Sequence, residues 1–149
     1  DFRQQTATFF RVDPSSIWGA ESEARPCFAL PERAIVDALN HPRYGVSLTQ
    51  ALDALVTAVS RYPMFLDRLL ETVVRYSSGS KGHGSRAAAR RMGLIVEELF
   101  GADAAAPYRT LIGSNRSPVL LRPGGSSVGE VDRRWRVRRN TALAPEKAR

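Results

Sequence analysis

The chain has 149 residues, 43% of them hydrophobic and 25% charged, with a net charge of +7. That length fits one domain able to bury a real core without covalent staples. A single cysteine, Cys27, and two distant histidines exclude a disulfide framework and a structural zinc site.

The charge is uneven. Residues 1–80 carry 8 Lys and Arg against 9 Asp and Glu, whereas residues 81–149 carry 14 against 6. The excess of +8 in the second half points to a surface that faces a polyanion. An arginine-rich solvated surface is the competing explanation. No apolar run approaches the ~20 residues of a membrane span, and Asp1–Gln5 begins no signal peptide. A cytoplasmic, non-membrane protein is expected. The absence of an initiator Met suggests the back part of a longer protein.

In chain order, Arg3–Val12 reads as a strand and Asp13-Pro14-Ser15-Ser16 as a turn. Ile17-Trp18-Gly19 is a short second strand or bridge, Glu21–Arg25 a hairpin tip and Arg25–Leu30 a further strand. Trp18 lies in an apolar patch and is expected to pack there. Pro31 suits the first position of a helix, and Glu32 sits favourably in its first turn. Glu32 is expected to act structurally, through the helix N-terminus and a nearby arginine. Ile35, Ala38 and Leu39 mark the inner face, with Asn40 as a left-handed cap and His41-Pro42 as the stop.

Ser47-Leu48-Thr49-Gln50 has the form of a capping box, so a second helix should run to about Arg61. A third should start at Pro63, its broad stripe of Leu66, Leu69, Leu70, Val73 and Val74 making it nearly central. Ser77–Ser85, with three glycines in nine residues, is expected to be flexible. Helix four, Arg86–Phe100, follows and stops at Gly101. Gly93 in its middle implies the close approach of another backbone. Pro107–Ile112 reads as a short fifth helix, Ser117–Leu121 as a short strand and Val131–Arg138 as a last strand. Beyond Asn140 the tail, 141–149, is expected to fray. The expected class is α+β, a single domain over 1–149, with four to five helices in the middle and a small sheet or sheets built from strands near both chain ends.

Three stretches carry a resemblance. LPERAIVDALNHPRYG (Leu30–Gly45), AARRMGLIVEELFG (Ala88–Gly101) and GEVDRRWRVRRN (Gly129–Asn140) stand in the order seen in AbiE-type antitoxins of abortive-infection, type IV toxin–antitoxin pairs. The chain resembles the C-terminal domain of that family, without its N-terminal winged helix. The resemblance implies an antitoxin and transcriptional autoregulator. The missing front domain would read the DNA, and this domain would give antitoxicity, oligomer contacts and auxiliary phosphate binding. The partner would be a nucleotidyltransferase-like toxin. The alternative is a stand-alone DNA-binding regulator in which this domain is an oligomerisation module.

The last strand supplies the sharpest site. In an extended strand, Arg134, Arg136 and Arg138 share a face at about 6.6–6.8 Å spacing, close to the phosphate repeat of one nucleic-acid strand. Arg139 flanks them. The competing reading is an edge strand whose charges block aggregation. Lys81, Arg86 and Arg90 border the glycine-rich loop before helix four and could join the same DNA-facing surface, although a plain linker accounts for that loop as well. His83 has no identifiable catalytic partner. Ile112-Gly113-Ser114 is faintly like a nucleotidyltransferase loop, but no Asp-x-Asp follows to hold Mg²⁺. No enzyme, cofactor or metal site is expected.

Overall fold

The computed structural model describes residues 29–42, 46–78 and 86–144. The strands and turn expected up to residue 28, with Trp18 and Cys27, lie outside them, as do Lys81, His83 and the rest of 79–85. The fold is α+β. Four main helices are α1 (Pro31–Asn40), α2 (Leu48–Arg61), α3 (Phe65–Ser78) and α4 (Arg86–Phe100). A short α5 (Ala102–Ala105) runs into a 3-10 helix, Ala106–Leu111, and three two-residue strands close the order: β1 (Val119–Leu120), β2 (Val131–Asp132) and β3 (Val137–Arg138). Among the described residues, no helix is long and apolar enough to cross a membrane.

Local chemistry explains the helix starts. Pro31 opens α1, and the amide of Ala34 donates to Leu30 O at 2.9 Å. Ser47 and Gln50 form the expected reciprocal capping box, at 3.1 and 3.0 Å. Asn40 departs from the expected left-handed cap. It closes the last turn, its Nδ2 donating to Val36 O at 2.7 Å while its Oδ1 accepts from Arg91. Helix α3 begins two residues later than expected, after a turn at Pro63-Met64, and it reaches Ser78.

Glu32 is 5% exposed and meets the Arg68 guanidinium at 2.9 Å, joining α1 to α3. That contact gives it the structural role expected of it. Arg68 is half exposed and water screens it, so Glu32→Gln should lower stability by only about 0.3–1 kcal/mol. A full loss of some activity with an unchanged melt would overturn that role.

The central element is α4, not α3. It contacts α1, α3, α5, the 3-10 helix, β1 and β3. An unbroken run from Ala88 to Val96 is buried, whereas α3 buries Phe65, Leu69, Val73 and Tyr76 and leaves Val74 exposed. The reason lies in size. Ala88, Ala89 and Gly93 keep α4 thin, so elements can pack on several of its sides.

The last strand is not one strand. Asp132 Oδ1 accepts from the amides of both Arg134 and Trp135 at 3.0 Å, which turns the chain over residues 133–136. Arg136 leaves the turn with φ of +55°. β2 and β3 therefore pair antiparallel, Val131 opposite Arg138, and β3 pairs parallel with β1, Val119 opposite Val137, in the order β1-β3-β2. The turn drives Trp135 into the core, where its ring lies directly against Gly93. Gly93 is thus needed for an indole ring, not for a second backbone. Beyond Asn140, Leu143 still packs on the core.

Candidate polyanion-binding site

One stripe of α4 organises the C-terminal segment. Arg86, Arg90, Gly93 and Glu97 follow at intervals of four, three and four residues, so they share a face. Gly93 receives the Trp135 ring, and the Glu97 carboxylate accepts from both Trp135 Nε1 and Arg134. At the next residue, Glu98 accepts from Arg139 Nη2 at 2.6 Å, and the same nitrogen meets Asp132 Oδ2 at 3.2 Å. The hydrogen bond to Glu98 raises the Arg139 pKa above its ordinary value, supported by Asp132 and opposed by burial.

These contacts dismantle the expected row of arginines. Arg134 and Arg139 are bound to carboxylates of α4 and the hairpin. Arg138 donates to Gly129 O at 2.8 Å. Arg136 sits in the turn, not on a strand face. The physical reason is the hairpin: a 6.6–6.8 Å repeat needs extended backbone, and residues 133–136 are folded back.

A different grouping takes its place. Arg90 is 2% exposed and cannot lie on a DNA-facing surface. Its guanidinium clamps the loop after the 3-10 helix. Nε and Nη2 donate to Ile112 O at 3.2 and 3.1 Å, Nη1 donates to Ser117 O at 2.8 Å, and Nη2 also reaches Asn115 O. Arg136 grips the same loop from the hairpin, its Nη1 donating to Gly113 O at 3.1 Å and Asn115 O at 2.7 Å. Exposed Arg86 lies over Gly113, where any Cβ would collide with its guanidinium, and Gly113 has φ of +66°. Desolvation by burial, then the charges of Arg136 and Arg86, lower the Arg90 pKa. Arg86 and Arg136 do come together with Arg90, but around a loop rather than along a strand.

Sequence reasoning passed over that loop as a receiver. Its Gly-Ser-Asn-Arg-Ser composition signals a turn, yet nothing local shows that its carbonyls point at arginines. Arg91 makes a parallel case. Its Nε donates to Leu120 O at 2.6 Å at the open edge of β1, and its Nη1 reaches Asn40. Burial brings its pKa down to about 10.

The balance of charge remains basic. Residues 86–144 contain eleven arginines and five carboxylates, and three of the five, Glu97, Glu98 and Asp132, pair with Arg134 and Arg139. Among the described residues, no carboxylate pairs with Arg86, Arg90, Arg116 or Arg136. Carbonyl oxygens satisfy the N–H groups of a guanidinium but leave its full charge uncancelled. The loop is therefore an electropositive pole. Among the described residues, no group of three His, Cys, Asp or Glu is placed to hold a metal ion. No family model matches the chain, and comparison with curated proteins and with solved structures gives no match.

Proposed function

We propose that this chain is the C-terminal domain of an AbiE-type antitoxin and autoregulator, a non-catalytic cytoplasmic protein acting on a nucleotidyltransferase-like toxin. In that role it supplies antitoxicity and oligomer contacts, and it adds sequence-independent phosphate contacts to DNA that a winged-helix domain reads. The observation that supports it is the pole of Arg86, Arg90, Arg116 and Arg136, which no described carboxylate neutralises. The ordered resemblance of three segments points the same way. A lone DNA-binding regulator is the second reading. It is favoured by the exposed Tyr62 and Met64 at the α2–α3 corner, apolar surface suited to contact between copies.

Co-expression with a candidate toxin tests antitoxicity. Rescue of growth supports the antitoxin, whereas DNA binding without rescue favours the regulator. The DNA contact has its own measure. Duplex affinity should fall with log[salt] at about −0.9 per neutralised phosphate, and changing Arg86 and Arg116 to Gln should reduce the slope by about 1.8. Arg134→Gln should leave the slope unchanged, because Arg134 is paired with Glu97. Equal slopes for all these variants would move the DNA contact elsewhere.

A further inference from the structure

The loop from Gly113 to Ser117 is surrounded by guanidinium groups that it only partly occupies. Arg90 is spent, its N–H groups held by three carbonyls, but its charge remains behind the loop. Arg136 uses Nη1 alone on Gly113 O and Asn115 O, leaving Nε and Nη2 without a described partner. Arg86 is exposed over Gly113 and forms no ion pair with a described residue. Ser114 and Arg116 are exposed on the same loop.

The backbone adds a second observation. Arg136 is the only non-glycine described residue with positive φ, at +55°. That region disfavours most side chains, and glycine would occupy it freely. A large cation is held there against local preference, and strain of this kind collects where a side chain must be aimed.

We propose that Arg86, Arg136 and the Gly113–Ser117 loop bind a dianionic phosphate, the terminal group of a polyphosphate or a phosphomonoester. Three guanidinium charges meet at one short loop, and a group with two negative charges and three acceptor oxygens offsets them better than a singly charged phosphodiester. Arg86 supplies a whole guanidinium fork and Arg136 the edge carrying Nε and Nη2, the geometry in which arginine grips phosphate. Arg90 touches no ligand and acts as a positioning residue that fixes the loop and adds its field. The inference rests on the same basic pole as the proposed function, but it requires neither duplex DNA nor a toxin.

Calorimetric titration of the 149-residue chain with tripolyphosphate tests it. Arg86→Gln should weaken binding at least tenfold, and so should Arg136→Gly, in which glycine keeps the turn without strain. Arg122→Gln, an exposed arginine outside the loop, is the control and should bind as the parent does. If Arg136→Gly fails to fold, Arg86→Gln decides, because no described hydrogen bond depends on Arg86. Equal affinities for Arg86→Gln, the control and the parent would overturn the site. Competition then identifies the source of the phosphate. Displacement by ATP indicates a free nucleotide. Stronger displacement by a 5′-phosphorylated oligonucleotide than by its 5′-hydroxyl counterpart indicates a nucleic-acid end. Either result supports a dianion site. Displacement by the 5′-hydroxyl oligonucleotide as strong as by its 5′-phosphorylated form would overturn the dianion assignment while leaving the proposed DNA contact intact. Tripolyphosphate binding without duplex binding would remove the DNA contact and leave this site standing.

Discussion

Trp135→Ala should lower the stability of the domain by about 3–5 kcal/mol. The indole is fully buried, and it is the largest fully buried side chain among the described residues. It fills the space left by the missing side chain of Gly93, and its Nε1 donates to Glu97. Truncation opens a cavity against α4 and removes that donor from a half-buried carboxylate. A domain of this size has a net stability of about 5–15 kcal/mol, so the loss is a large share of the whole. Denaturant melts give the value, and a loss below about 1 kcal/mol would mean that the hairpin does not depend on this contact. The partner residue supplies a sharper check. Gly93→Ala alone should cost about 1–3 kcal/mol, because a Cβ there collides with the ring. In the Trp135→Ala background the same change should be nearly neutral, since the ring is gone. Additive costs would show that Gly93 serves something other than Trp135.

Arg90→Met should be comparably damaging, at about 1–3 kcal/mol for each buried carbonyl left without its donor. The methionine fits the volume of the arginine stem, but it leaves the carbonyls of Ile112, Asn115 and Ser117 without their shared donor. Arg90→Lys should recover little of the loss. A single ammonium cannot span three carbonyls that a planar fork reaches together, and it is more costly to desolvate. Thermal melts and amide exchange across residues 112–117 report the effect. If lysine restored both the melt and the protection, the fork geometry would be irrelevant and only the positive charge would count.

Local signals in the chain were enough for the helical half. Pro31, the Ser47–Gln50 box and Gly101 set helix boundaries through neighbours a few residues away, and these signals survive in any tertiary context. Apolar spacing placed Ile35, Leu39 and Leu69 inward for the same reason. The structural role of Glu32 was equally legible, since a carboxylate in a first turn has a local use; only its partner, Arg68, came from the fold. Contacts between distant segments settled the rest. Alternation from Val131 to Arg138 fits one strand or two, and the choice fell to Asp132, whose carboxylate captured two amides and turned the chain. That turn sent Trp135 inward and dispersed the arginines that a straight strand would have aligned. Arg90 and Arg91 look like solvated helix residues because their partners, backbone carbonyls of Ile112, Asn115, Ser117 and Leu120, lie more than twenty residues away in the chain. A carbonyl is present at every residue and leaves no mark in the sequence, so a cation paired with carbonyls is invisible until the loop that presents them has folded.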